Sequence, residues 1–264
     1  MIDLSLFQQY GPALLRGLGM TIFCWLVGTV FAMALGFVLA LVQRSVKAWP
    51  VQWLLRAYVE FIRGTPFLVQ LFVLYYGGPM LGLRLDALPA GLLGLTIYGS
   101  PYFAEIFRAG LNAVPVGQIE AARAMGFPPG AIMRRVMIPV MLVSALPALV
   151  NFSIILTKET VILSMITVPE IMFETQTMMA ETFAFAEATL VLALFFWIFV
   201  EAISRIGRRQ FSSNAALVAR KGMVACPGRP VPIDTCIGPA APTRVMTALS
   251  AICGKAMAAD ALAA

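Results

Sequence analysis

Long uncharged apolar runs alternate with short basic segments along most of the chain. A helix needs on the order of 20 apolar residues to cross the hydrocarbon core of a bilayer. Runs of about this length predict roughly five transmembrane helices, at 17–43, 64–83, 87–108, 136–160 and 182–204. The last run is the weakest, because Glu187 lies inside it. The predicted fold class is therefore an all-α integral membrane bundle.

Composition also favours a membrane as the solvent of this protein. The 264 residues are 60% hydrophobic and 12% charged, with a mean hydropathy of +0.88. A soluble globule of this length could not bury so much apolar surface. The net charge of +6 would suggest nucleic acid in a soluble protein, but here the basic residues lie mostly between the apolar runs. We therefore expect membrane lipid, and no nucleic acid, as a partner.

The basic residues predict the orientation of the chain, since positively charged flanks resist translocation. They cluster after the first, third and fifth runs, at Arg44, Lys47, Arg56, Arg63, Arg108, Arg123, Arg134, Arg135, Arg205, Arg208 and Arg209. Residues 165–181 instead carry three glutamates and no basic residue. We expect an N-terminus outside and a cytoplasmic C-terminus, with Arg16 and Arg84 as outlying charges.

The two ends of the chain differ in character. The first run is too long for the apolar region of a signal peptide and is followed by Arg44 and Lys47, so we interpret it as a retained helix. Residues 212–264 mix Gly, Pro, Ala and Cys without periodicity, and their apolar runs are too short to cross a bilayer. The prediction is a transmembrane domain at 1–211 and a poorly ordered cytoplasmic tail at 212–264.

Two patterns bear on how the helices pack. Small residues recur every four positions in the first run, at Gly28, Ala32, Gly36 and Ala40, which places them on one stripe that another helix can approach closely. Prolines lie at or inside the apolar runs and tend to bend helices, at Pro66, Pro89, Pro101, Pro139 and Pro147. Bent helices suit a moving gate, and they also occur in static bundles.

The segment between the third and fourth runs, 113–135, predicts a helix, a sharp turn and a second helix. The stretch 118–125 favours helix, Gly126 can end it in a left-handed conformation, and Pro128 and Pro129 prevent its continuation. Alanines keep the first helix thin, which suits a groove on a partner protein. The alternative is an amphipathic loop on the membrane surface.

The spacing in this segment resembles a known family. Glu120, Ala121, Ala122, three residues, Gly126, nine residues, Val136, one residue, Ile138 and Pro139 match the "EAA" loop of permeases from bacterial binding-protein-dependent ABC importers. The segments 60–66 (EFIRGTP), 102–122 and 147–160 are similar to the polar amino acid branch of that family. Together the resemblance covers roughly residues 17–210.

This resemblance implies a type I ABC importer permease fold and a role in moving polar amino acids or related small polar solutes across the inner membrane. In the family, the loop seats coupling helices in a cleft of a cytoplasmic ATP-binding subunit. Carried over to this chain, the coupling residues are Gln118, Glu120, Ala121, Ala122, Gly126 and Pro139. The further partners implied are a second permease copy or a paralogue and a periplasmic or extracellular solute-binding protein.

The chain itself is not expected to be an enzyme. It contains no GxxxxGK[ST] phosphate-binding loop, so we expect ATP and Mg²⁺ on the partner subunit and no cofactor on this chain. No histidine is present, and Cys24, Cys226, Cys236 and Cys253 form no CxxC pair, so neither a metal site nor a disulfide framework is predicted.

Polar groups at membrane depth are costly and are usually paired, exposed to an aqueous cavity or functional. The candidates for a solute path are therefore Asn151, Lys158, Glu159 and Thr160. Lys158 and Glu159 could instead neutralise each other. Candidates for gating or packing are Glu60, Arg63, Gly64, Thr65, Pro66, Glu105 and Arg108. Glu105 and Arg108 are three residues apart, as are Glu60 and Arg63, so each pair is predicted to form an ion pair on one helical face.

Two other classes of function remain. An ion-gradient-driven secondary transporter or channel would explain the membrane helices and charges, but not the spacing of the coupling segment. An intramembrane enzyme would need converging catalytic groups. The only aspartates are Asp3, Asp86, Asp234 and Asp260, all outside the predicted hydrocarbon region.

Overall fold

The computed structural model of the protein describes residues 4–220, and within them the backbone is helical with no strand. The α-helices are α1 (Leu4–Ser45), α2 (Trp49–Gly64), α3 (Phe67–Phe72), α4 (Ala87–Asn112), α5 (Val116–Ala124), α6 (Pro129–Ile132), α7 (Ile138–Glu159), α8 (Ile171–Thr182) and α9 (Phe185–Arg220). Two π-helical turns, Val73–Gly77 and Met133–Met137, and two 3₁₀ segments, Gly78–Leu81 and Thr160–Ile166, extend neighbouring helices.

Within the described part, three helical stretches are long and apolar enough to cross a membrane. They are Gln8–Ser45, Pro129–Ile166 and Phe185–Gly207. The pair Trp49–Gly64 and Phe67–Leu81 meets the same test as a fourth, bent by 108°. Helix α4, which covers the third predicted run, does not meet this test, so the described part has three or at most four candidate spans where about five were predicted. The all-α membrane class is confirmed.

Several predicted boundaries were wrong. The first helix begins at Leu4, well before residue 17. The basic segment after it forms helix α2, which the search for uncharged runs missed because charged residues recur at helical spacing along it. The predicted second span, 64–83, therefore starts at the bend between α2 and α3.

The predicted boundary after residue 211 coincides with the division of the chain by its internal contacts, Met1–Phe211 and Ser212–Ala264. Helix α9 continues past residue 211 to Arg220, so the first part of the predicted tail is helical. The rest of that tail, with Cys226, Cys236, Cys253, Asp234 and Asp260, lies outside the described residues, as does Asp3.

Helix α4 lies at the centre of the bundle and packs closely against α1 through the predicted small-residue stripe. Ala32 and Ala40 are fully buried. A Cβ atom added to Gly36 would lie 2.6 Å from the Cβ of Phe103 and 2.7 Å from the carbonyl oxygen of Ser100. The backbones thus approach more closely than any larger side chain would permit, and the predicted helix contact is confirmed.

The other face of α4 packs against α7. Buried Phe103 of α4 meets Phe152 of α7 edge to face, with ring centroids 4.9 Å apart. A Cβ atom at Gly110 would lie 3.0 Å from Met141. Helix α1 is also joined to α7, because the indole N–H of Trp25 donates to the carbonyl oxygen of Ser153 at 2.8 Å. The three helices therefore form one packed unit.

A buried carboxylate joins α1 to α8 at the end of the bundle opposite α5. Glu170 precedes α8 and accepts the backbone N–H of Phe173 at 3.0 Å, which caps the helix. Its second oxygen accepts the hydroxyl of Thr21 at 3.2 Å. Glu170 is fully buried, and burial raises its pKa to about 7, although these hydrogen bonds oppose that rise.

Candidate functional site: the coupling elbow and the exposed face of α7

Helix α5, the turn after it and α6 form a compact projection, which we call the coupling elbow (residues 116–132). Gly126 adopts a left-handed conformation, with φ of +78°. The N–H of Phe127 donates to the carbonyl oxygen of Ala122 at 3.2 Å, and that of Gly126 to Arg123 at 2.9 Å. This is the Schellman arrangement that ends a helix at a glycine. The predicted helix, turn and helix are thus present, with α6 beginning at Pro129.

The elbow has one anchored side and one free side. Ala122 and Ile132 are buried, and Ile119 packs against the same core, so α5 is held on α6. Glu120, Ala121, Arg123 and Ala124 are exposed, and Met125 is 71% exposed. The exposed side is low in profile because two of these residues are alanine. It presents both charges of α5 outward, which suits a concave protein surface.

Two of the predicted coupling residues lie differently from the rest. Gln118 is half-buried on α5, and Pro139 is exposed in the first turn of α7. Since Pro139 has no N–H to donate to the preceding turn, it offers a reason for the π-helical turn Met133–Met137 directly before it. In that turn, the guanidinium of Arg135 lies 6.0 Å from the ring centre of Phe127 and so braces the elbow.

The exposed face of α7 carries two of the four predicted path residues. Exposed residues recur at helical spacing along one stripe of α7, at Ser144, Pro147, Ala148, Asn151, Ile155 and Lys158. Its polar members, Ser144, Asn151 and Lys158, are seven residues apart and therefore lie almost in line. A polar stripe on a membrane helix needs an aqueous path or another protein surface against it.

Glu159 and Thr160 do not belong to that stripe. Glu159 is half-buried on another face of α7. No ion pair with Lys158 forms. Thr160, also predicted as a path residue, is fully buried here, and its hydroxyl donates to the carbonyl oxygen of Thr157 at 2.7 Å. The hydroxyl is satisfied within its own helix, where no solute can reach it.

The predicted gate residues form a bridge between α2 and α4. Arg108 pairs with Glu105 at 3.3 Å, as predicted, and Arg63 of α2 pairs with the same carboxylate at 2.6 Å. The predicted pair of Glu60 and Arg63 was wrong, because Arg63 reaches across to α4 instead of along its own helix. Arg63 also lies over the ring of Tyr102, 5.4 Å from its centre.

Gly64, Thr65 and Pro66 make the sharp bend between α2 and α3. Gly64 ends α2, Thr65 is extended, and Pro66 precedes α3 with the fixed φ of proline. Sequence reasoning missed Gln70, whose side-chain amide donates to the carbonyl oxygens of Ile62 and Thr65 at 2.7 and 3.0 Å. The signal in the sequence was a glutamine one helical turn after the "RGTP" bend, since its long side chain can reach back to the carbonyl oxygens at the end of α2. These two hydrogen bonds hold the bend in one conformation.

Comparison with known proteins shows which family the chain belongs to. Residues 14–210 match the family described as "Binding-protein-dependent transport system inner membrane component". The chain belongs to this family. The resemblance drawn from the coupling segment is thereby confirmed.

Relatives at substantial identity cover most of the chain. The arginine transport system permease protein ArtQ of Bacillus subtilis (strain 168) is 34% identical over 217 residues, 81% of this chain and 99% of the relative. The probable amino-acid ABC transporter permease protein PatM of Vibrio harveyi is 36% identical over 77% of this chain and 92% of its own. This family member is therefore a multi-pass membrane transport subunit.

Solved structures agree with the fold. A chain of the crystal structure described as an amino acid ABC transporter with histidines aligns with a TM-score of 0.74 at 32% identity, over 81% of this chain and 99% of that one. A chain of the inward-facing MetNI methionine ABC transporter aligns with a TM-score of 0.68 at 20% identity, which supports the fold alone.

Proposed function

We propose that this permease moves polar amino acids or related small polar solutes into the cell, driven by ATP hydrolysis in a separate subunit. The observation that carries the proposal is the coupling elbow, whose exposed side of Glu120, Ala121 and Arg123 is braced from behind by buried Ala122 and Ile132. A braced, low-profile projection can transmit a push from a partner into α7, because the helical segment from Pro129 to Ile166 is unbroken.

The relatives supply the support for the solute class. Those described above are named as an arginine permease and an amino-acid permease. An amino acid carries a carboxylate, and the exposed stripe of α7 offers it the opposite charge in Lys158. In our proposal, Asn151 and Lys158 line the path.

The remaining partners follow from this role. A second permease copy or a paralogue would close the path by covering the polar stripe of α7. A cytoplasmic ATP-binding subunit with ATP and Mg²⁺ would seat the elbow, and an external solute-binding protein would deliver the solute. This places the N-terminus outside, and the basic ends of α1 and α4 in the cytoplasm together with the elbow.

Uptake into vesicles tests this function. The full chain is reconstituted with its cognate ATP-binding subunit and solute-binding protein, and labelled polar amino acids are supplied outside. We expect accumulation only when ATP is present on the side of the elbow, and none with a non-hydrolysable analogue. Accumulation driven by a sodium or proton gradient without the ATP-binding subunit would contradict the proposal and favour a secondary transporter.

The path is tested with two α7 variants. Asn151→Leu removes a polar group from the stripe and should lower the kcat/KM of uptake about tenfold, the usual loss for one hydrogen bond to a charged ligand. Leu142→Ala changes an exposed residue on the opposite side of α7 and should leave uptake unchanged. Equal effects of the two variants would exclude the stripe as the path.

A further inference from the structure

A polar cavity of about 670 Å³ lies where the C-terminal parts of α1 and α4 meet α2. Its wall carries four arginines and two glutamates: Arg44, Arg56, Arg63, Arg108, Glu60 and Glu105. Neither the exposed side of the elbow nor the polar stripe of α7 contributes to it. The cavity therefore lies apart from the elbow and the stripe, and its wall includes the bridge of Arg63, Glu105 and Arg108 described above.

The carboxylates of the cavity do not neutralise its arginines. Glu105 is shared between Arg63 at 2.6 Å and Arg108 at 3.3 Å, so one negative charge faces two positive charges. Arg44 donates to the neutral side-chain oxygen of Asn112 at 3.4 Å and forms no ion pair within the described part of the chain. Arg56 forms no ion pair with any residue that the structure describes. Even if Glu60 is counted as neutralising Arg56, the arginines in the wall outnumber the glutamates, so the cavity keeps a net positive charge.

Neighbouring residues place this cavity at the depth of lipid headgroups. Trp49 and Trp53 of α2 are 77% and 62% exposed. Exposed tryptophans gather where a membrane meets water. The apolar run of α1 also ends here, at Ser45. Apolar residues Val59 and Leu111 share the wall with the arginines, so the cavity joins a basic surface to an apolar one.

We propose that this cavity binds the phosphate of an anionic membrane lipid in the leaflet on the side of the elbow. The guanidinium fork of arginine matches the oxygens of a phosphate, and it is weakly hydrated and so suits an interfacial site. Basic pockets between transmembrane helices commonly hold lipid phosphates. A lipid bound here joins α2 to the ends of α1 and α4, next to Asn112, the last residue of α4 before the elbow.

The test measures lipid binding to the full, delipidated chain in detergent by native mass spectrometry. The probes are dioleoyl phosphatidylglycerol, dioleoyl phosphatidylcholine and inorganic phosphate. We expect the anionic lipid to bind about tenfold more tightly than the zwitterionic one, as charge-assisted contacts require. Arg44→Gln and Arg56→Gln should each weaken that binding about tenfold, on the same grounds.

The matched control is Lys47→Gln, which removes the same charge three residues after Arg44 from a residue that does not line the cavity. Its binding should equal that of the unaltered chain, and Arg56→Lys should retain part of the affinity. Tryptophan-fluorescence melting checks that each variant is folded.

Three results would overturn the proposal. An equal loss with Lys47→Gln would mean diffuse attraction by basic residues. Displacement of the lipid by inorganic phosphate would assign the cavity to a free anion. Displacement by glutamine or arginine would assign it to the solute path, and uptake itself would still test the proposed function separately.

Discussion

Gly126 determines the shape of the coupling elbow at the scale of a single residue. Its φ of +78° lies in the region that L-residues avoid, and the two hydrogen bonds that end α5 depend on that conformation. Nothing lies within 4 Å of where its Cβ would be, so conformation and not space selects glycine here.

Gly126→Ala is therefore expected to strain the elbow without any steric clash. The left-handed conformation costs an L-residue about 1–2 kcal/mol, so the turn should reopen and association with the ATP-binding subunit should weaken about tenfold. Gly117→Ala is the control, since Gly117 lies in open space within α5, where alanine favours helix. Pull-down of the ATP-binding subunit measures both, and equal binding by the two variants would contradict this role.

Glu170 adds a dependence on pH at the same scale. Its pKa in the folded protein is raised to about 7, above the ordinary value, so the contribution to stability is fully present at low pH and is lost as pH rises through 7. We expect the melting temperature of the full chain to fall between about pH 4.5 and 7 and to level off above that range. No histidine is present to titrate in this range.

Glu170→Gln separates this carboxyl from other titrating groups. The amide oxygen can still accept the N–H of Phe173, but the side chain no longer ionises. The fall in melting temperature should become shallower by the equivalent of a few kcal/mol at most, the scale set by a shift of about two pKa units. An identical pH profile in the variant would assign the dependence to other groups.

At the scale of helices, α1 and α4 pack through close backbone approach along the small-residue stripe. Ala32 is buried and Gly36 faces the carbonyl oxygen of Ser100, an atom that cannot move without shifting α4. The stripe therefore tolerates little added volume.

Gly36→Ala should destabilise the bundle by about 1–3 kcal/mol, the usual cost of overpacking a close contact. Gly19→Ala is the control, because Gly19 lies on the same helix with nothing within 4 Å of its added Cβ. Thermal unfolding of the detergent-solubilised chain measures the difference. A melting temperature for Gly36→Ala at or above that of Gly19→Ala would contradict the packing described.

The elements also illustrate what the sequence could predict. Uncharged runs identify α7 and α9, and the Gly126 and Pro128 signals identify the elbow, because each depends on neighbouring residues alone. Helix α2 was missed because a search for uncharged runs passes over an amphipathic helix, whose charged residues recur on one face. The partner of Arg63 could not be predicted either, because Glu105 lies 42 residues away and meets it only in the folded chain.

At the scale of the whole molecule, the elbow, the unbroken helix from Pro129 to Ile166 and the polar stripe of α7 form one continuous structure. A push on the elbow is thereby delivered to the helix that carries Asn151 and Lys158. The family could be predicted from the spacing of Glu120, Gly126 and Pro139, but the separation of Glu159 and Thr160 from the stripe required the folded helix.

The most direct test of this account is photo-cross-linking from the elbow in the assembled transporter. A benzophenone amino acid replaces exposed Ala121 in one variant and exposed Thr189, on α9, in a matched control. We expect a cross-link to the ATP-binding subunit from position 121 and none from position 189. No cross-link from position 121, or equal cross-links from both, would contradict the claim that the elbow receives the force of ATP hydrolysis.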